Sequence, residues 1–196
     1  MSISFSNKKT NIGMSQKREH LIQTALSLFY RHGIHAMGIN EVLKEASVAK
    51  KTLYTHFVSK DELVLATLEA RHTRFMAWLD DALNAAPSDA GLIDQLFDAL
   101  HHWFSGKVPE LGEFRGCFFI NTASEFGEAN HPIAQSCQRH KASVIDLIQK
   151  KLPSENRDLA NALALLKEGA IVQAAVAQNP DASNTAKAIA KRLVAN

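Results

Sequence analysis

Seven side chains able to address a nucleic acid fall within eleven consecutive positions: Lys50, Lys51, Thr52, Tyr54, Thr55, His56 and Lys60. Lysine ammoniums neutralise phosphates or donate to a guanine edge, and threonine hydroxyls and methyls can address a base or a thymine methyl. Lys60 stands where a helix should begin, so the free N–H groups of that helix also favour an anion. Between these residues lie Val48, Leu53 and Phe57, spaced to pack underneath while the polar set faces outward. This is the chemistry of a nucleic-acid reading face. Each residue also has a plainer role open to it: the Tyr54 ring can simply pack, His56 can be structural, and the lysines can be solvated.

The flanking pattern supplies the elements that such a face needs. From Leu21, the positions Ala25, Leu28 and Phe29 recur at three- and four-residue steps until Gly33 stops the helix. A short helix is expected over Ile39–Ala46, with Gly38 at its cap and Glu41 able to reach back. Ser47-Val48 makes a tight connection to a third helix over about Lys50–His56. Three short helices with such a turn fit a helix-turn-helix, whose last helix enters the major groove. Ser59-Lys60-Asp61-Glu62 is a capping box that launches a long helix to about residue 85. Further helices are expected near 89–105, 117–127, 132–151, 156–178 and 182–194, with Gly106, Pro109, Gly112 and Gly116 marking a loop-rich hinge. No strand pattern and no internal repeat is found.

The stretch Ala46–Leu63, ASVAKKTLYTHFVSKDEL, resembles the signature of TetR-type transcriptional regulators, whose pattern is close to AGVSKGTLYHHFxSKExL. Thr52-Leu53-Tyr54, His56-Phe57 and Ser59-Lys60 match it, and Leu28-Phe29 and Gly33 also stand where the family has them. The resemblance implies an all-helical homodimer, with an N-terminal DNA head and a C-terminal body that binds an inducer. In the family Tyr54 would touch a phosphate. The chain departs from the pattern at Ser47 (Gly in the family), Ala49 (Ser) and Lys51 (Gly). Arg115–Pro132 and the LLKEGA at 165–170 further resemble one body subgroup of these regulators.

For the body, an inducer site should be an apolar cavity with a few polar anchors. Candidate walls are Phe75, Leu79, Leu100, Phe104 and Phe118, with Phe126 beyond them; Asn121 and Glu125, four apart on one helix, are the candidate anchors. The aromatic stripes fit plain core equally. Cys117 follows Gly116 at an expected helix start, which permits a thiol sensor of electrophiles or oxidants with Cys137 as partner; a small buried hydrophobe is the alternative. The nine histidines show no ligand spacing, so no metal and no cofactor is expected. For dimerisation, Leu159, Leu163, Leu166, Ala170 and Ala174 form one stripe, and Val144, Leu147 and Ile148 another; both can instead face the subunit's own core.

Charge is distributed unevenly: residues 1–60 carry nine Lys/Arg against three Glu, net +6, and residues 61–196 carry net −4. A basic front favours phosphate contacts at one end. The polar first fifteen residues lack an apolar signal core, two cysteines suit a reducing cytoplasm, and no run of about 18 uncharged residues suggests a membrane span. The expectation is an all-α chain: a flexible tail over 1–15, a helix-turn-helix head over 16–60, and a helical ligand-binding and dimerisation body over 61–196. It would be a cytoplasmic ligand-responsive regulator, most naturally a repressor, homodimeric on a palindromic double-stranded operator. An enzyme on a helical bundle is disfavoured, because no nucleophile–base pair converges.

Overall fold

The computed structural model describes residues 6–84 and 86–195, and every regular element among them is helical. The head consists of α1 (Ser6–His32), α2 (Ile39–Ala46) and α3 (Lys50–His56). Leu21, Ile22, Ala25, Leu26 and Phe29 put one buried stripe along α1, and Val42, Ala46, Leu53 and Phe57 close on it from the other two helices. Gly33 ends α1 in the left-handed region (φ 87°), where its N–H reaches the Phe29 carbonyl at 2.9 Å. The expected flexible tail is corrected in part. Residues 1–5 lie outside the described residues, but 6–15 continue α1, since no proline interrupts the backbone ladder before Leu21.

Both caps around the third helix agree with the chemistry of their residues. Ser47 sits at the C-cap of α2 with φ 53° and ψ 40°, a conformation glycine adopts without penalty and serine does not. Ala49 at the N-cap of α3 makes no side-chain bond to the helix. Glu41 folds back on Gly38, where an added β-carbon would lie 2.5 Å from its carboxylate oxygen.

The long helix α4 (Lys60–Ala82) spans about 34 Å. Ser59 accepts from the Glu62 N–H at 3.2 Å, the first half of a capping box, and Glu62 reaches back past the N-cap to accept from the Val58 N–H at 2.6 Å. The first turns of α4 bury Leu63, Val64 and Leu68 against the head, while Phe75 and Leu79 enter the body. There α4 packs with α5 (Asp89–Phe104) and α7 (Pro132–Lys151), α8 (Arg157–Val176) lies against α7 and α5, and α9 (Ala182–Arg192) closes on α8 and α5. A 3-10 turn at Pro109–Leu111 and the short helix α6 (Phe118–Glu125) occupy the hinge. One continuous apolar core runs from Leu21 to Ala190. Among the described residues only α8 has the length and apolar composition of a membrane span, but Lys167 and Glu168 interrupt it and it packs between α7 and α9.

Candidate nucleic-acid interface and body sites

Helix α3 stands on Leu53 and Phe57, which are buried, and on the partly buried Val48. Lys50, Lys51, Tyr54 and Thr55 are exposed on its other side, with Thr52 and His56 at the margins. The Thr55 hydroxyl donates to the Lys51 carbonyl at 2.9 Å, which leaves its oxygen able to accept. Val58, just beyond the helix, is 82% exposed and extends this face with an apolar contact. The structure therefore brings six of the seven polar residues to one outward surface.

Lys60 is the exception. Its ammonium turns back to the Ile34 carbonyl at 2.6 Å and lies 5.9 Å from the centre of the Phe29 ring. A carbonyl left over at the α1–α2 turn and a ring face together outcompete solvent for this charge.

Glu125 also departs from its expected place. Instead of anchoring a ligand, its carboxylate accepts from the backbone N–H groups of Ile34 (2.8 Å) and His35 (2.6 Å), with the His35 ring 3.4 Å away. Two adjacent amides at a turn form a carboxylate cradle. At the other end of α6, the Tyr30 hydroxyl donates to the Gly116 carbonyl at 2.6 Å and accepts from the Arg115 N–H at 2.9 Å. Helix α6 is thus fastened to the head at both ends. Asn121 is exposed, and its amide donates to the Arg115 carbonyl.

The apolar candidates separate in the same way. Phe75, Leu79, Leu100 and Phe118 are packed core; Phe75 meets Trp78 and Trp103, which in turn meets Phe104. Open space lies elsewhere. A cavity of about 590 Å³ has Phe104, Phe114, Arg115 and Ala174 in its walls, and one of about 380 Å³ has Phe119, Phe126, Cys137 and Lys141. Of the expected walls, Phe104 borders the first cavity and Phe126 the second. Side chains were correctly apolar, but nothing local distinguishes a residue packed in a core from one that borders a cavity.

Cys117 is the N-cap residue of α6 and is buried. The Lys141 ammonium donates to its sulfur at 3.3 Å and to Glu168 at 2.6 Å, and the wholly buried Lys167 donates to the same carboxylate at 2.5 Å. For Lys141, burial opposes the charge, but Cys117 and Glu168 more than offset it and its pKa rises. For Lys167, burial wins and its pKa falls. Burial opposes the Glu168 charge too, yet the two ammoniums hold its pKa below the usual carboxylate range. The His140 ring stacks on Phe119 at 3.5 Å between centres, and its Nδ1 shares a hydrogen bond with the His72 Nδ1 at 3.0 Å. Burial first, then Lys141 and Lys167, push its pKa down to about 2, so it is neutral. Burial pushes the Cys137 thiol up to about 11. The one signal of this polar cluster in the sequence was the Lys167-Glu168 pair inside an otherwise apolar helix.

The expected dimer stripes turn inward. Leu159, Leu163, Ala170 and Ala174 of α8 are buried in the chain's own core with Leu166 packed against it, as are Val144 and Ile148 of α7 with Leu147 beside them. Helix α8 is apolar on two faces, and its outer one carries Leu165 (75% exposed), Val172 and Val176, continued on α9 by Ile189 and Leu193. A groove of about 380 Å³ runs between those two helices.

Comparison with known proteins places this architecture. Residues 21–67 match the family model described as bacterial regulatory proteins, tetR family. The HTH-type transcriptional repressor NemR of Escherichia coli (strain K12) is 25% identical over 189 residues, covering 91% of this chain and 94% of that protein. The transcriptional regulator AcuR of Cereibacter sphaeroides is 28% identical over 179 residues, covering 85% and 80%. Among solved structures, a TetR-family transcriptional regulator from Streptomyces coelicolor superposes with a TM-score of 0.79 at 26% identity, over 92% of this chain and 95% of that one. The reduced form of E. coli NemR gives 0.76 at 23%, over 90% and 96%, a likeness of fold.

Proposed function

Because the chain belongs to the TetR family of bacterial transcriptional regulators, we propose that it is a ligand-responsive repressor that holds a palindromic operator as a homodimer and leaves it when a small inducer enters the body. One observation carries the DNA half of this reading: the exposed Lys50, Lys51, Tyr54 and Thr55 on a helix pinned from below by Leu53 and Phe57. In this role Lys50 and Lys51 neutralise phosphates or meet a guanine edge, Tyr54 gives its hydroxyl to a phosphate, and Thr52, Thr55 and His56 address the groove. Two copies joined through the outer faces of α8 and α9 would cover Leu165, Val172 and Val176 and set the two α3 helices about one duplex turn, or a longer interval, apart.

An inducer in either body cavity would act by displacing α6, whose ends hold Tyr30 and the Ile34–His35 amides. It must bind the DNA-free setting more tightly than the DNA-bound one. The test is fluorescence anisotropy with a selected operator. Replacing both Lys50 and Lys51 with alanine should weaken binding at least tenfold and flatten its salt dependence. Undiminished affinity of that variant would remove α3 as the reading helix.

A second reading concerns the trigger. The Lys141 ammonium 3.3 Å from the Cys117 sulfur, at the helix end fastened to Tyr30, favours Cys117 as a nucleophile for an electrophilic inducer. With an α,β-unsaturated carbonyl, a bond forms from sulfur to the β-carbon, the C=C π pair moves to the α-carbon, and the thiol proton ends there; nothing leaves. N-ethylmaleimide should then add one mass equivalent at Cys117 and release the operator, and Cys117→Ser should abolish both. Release that survives in the serine variant would assign the trigger elsewhere.

A further inference from the structure

The region between head and body contains a further opening, in the cleft between α1 and α4. We propose that this cleft binds a small organic anion through a carboxylate or phosphate head. It encloses about 220 Å³, below the roughly 300–1,000 Å³ of drug-sized sites, so its occupant is small. Tyr30 and Arg31 contribute from α1, Arg71 and Arg74 from α4, and Leu111 and Arg115 from the hinge.

Four guanidiniums thus border one cleft. The acid that borders it with them, Glu113, is already held by Arg115 through both oxygens at 2.9 Å. Arg74 donates to Gln23 at 2.6 Å, a neutral partner that leaves its charge unmatched. Arg71 is the decisive residue. It is only 3% exposed, its Nη1 donates to the Leu111 carbonyl at 2.6 Å, and its Nη2 is sealed from solvent with no acceptor among the described residues. The faces of Tyr30 (5.0 Å) and Trp103 (5.8 Å) lie against the guanidinium and soften its charge, but a ring face supplies no lone pair in the plane of the fork. Burial opposes the Arg71 charge and pulls its pKa down, and Tyr30 and Cys117 only partly offset this.

A buried guanidinium N–H without an acceptor is costly, and a planar fork is satisfied best by two oxygens on one centre. That selects a carboxylate or phosphate over a neutral or cationic ligand. The Tyr30 ring and Leu111 line the same space, which gives an apolar group attached to the head somewhere to go. The ligand would touch α1 and α4 together, so it would tie the head to the body from a cleft that shares only Glu113 and Arg115 with the 590 Å³ body cavity. Any effect on operator affinity rests on the repressor reading; binding itself does not.

The experiment is calorimetric titration of the full chain with benzoate, phenyl phosphate and inorganic phosphate, at ionic strength matched with sodium chloride, and with benzyl alcohol as the uncharged control. Benzoate or phenyl phosphate should bind one per chain, and whichever does so names the head group. The exposed Arg31→Gln and the rim Arg74→Gln should each weaken binding at least tenfold, and Arg71→Met should abolish it, with circular dichroism confirming that each variant is folded. No heat from either organic anion, equal binding of benzyl alcohol, inorganic phosphate binding as tightly as phenyl phosphate, or unchanged affinity in both rim variants would each overturn the proposal. A chain that binds the anion but no operator sequence would overturn the repressor reading and leave this site standing.

Discussion

The head and the body place their charges in opposite ways. On α3 every cation faces water, above an apolar underside formed by Leu53 and Phe57. In the body, Arg71, His140 and Lys167 are each at most 3% exposed, inside walls of aromatic rings. An exposed cation costs the fold little and remains available to a partner. A buried one must be matched internally, so it reports how the interior is tuned. The difference teaches where to look for each activity: recognition of a large polyanion belongs on a surface, and response to a small molecule belongs where charge is already expensive.

This contrast can be broken by mutation, starting with the largest effect. Glu168→Gln would leave Lys141 and Lys167 facing each other without their shared anion, and should lower unfolding free energy by about 3 kcal/mol in urea titrations. A loss under 1 kcal/mol would show that the buried charges are not coupled through it. The pH dependence comes next. His140 is neutral in the folded chain with a pKa of about 2, while in the unfolded chain it gains a proton near pH 6.5. Its stabilising contribution is complete above that value and is lost as pH falls, by about 2 kcal/mol at pH 5. His140→Gln should remove most of that slope; an unchanged slope would assign it to other groups.

On the head the effects should move to binding and leave stability alone. Lys51→Ala is expected to reduce operator affinity about five- to tenfold with a melting temperature unchanged within a degree. A destabilised variant with normal affinity would invert the comparison. The smallest effect sharpens it instead: Ser47→Gly, at φ 53°, should stabilise the chain by about 0.5 kcal/mol, because glycine accepts the left-handed region without strain. Destabilisation would mean that the serine side chain has a role outweighing its backbone penalty.

How much of this was legible in the sequence follows the range of the forces involved. The boundaries of α2 and α3, the Ser59 cap and the outward polar face rest on interactions within a few residues, and the spacing revealed them. Glu125 was read as a ligand anchor because Asn121 and Glu125 share a helical face; nothing local says that its partners are two amides some ninety positions earlier. Leu159, Leu163 and Ala170 formed a correct apolar stripe, but α8 has a second one, and only the packed bundle decides which faces inward. The Arg71 cleft left no trace at all, since three separate segments meet to make it.

 The Glu125 contact also bears on how the chain matures. The Ile34 and His35 amides stay uncapped until residue 125 has been made and folded onto them. At ribosomal rates of about 5–20 residues per second, that wait lasts roughly 5–20 seconds. During synthesis the head therefore exists first in an unfinished form, and its turn is completed only by the arrival of the body. The order of manufacture itself leaves the turn between α1 and α2 incomplete until the body is in place.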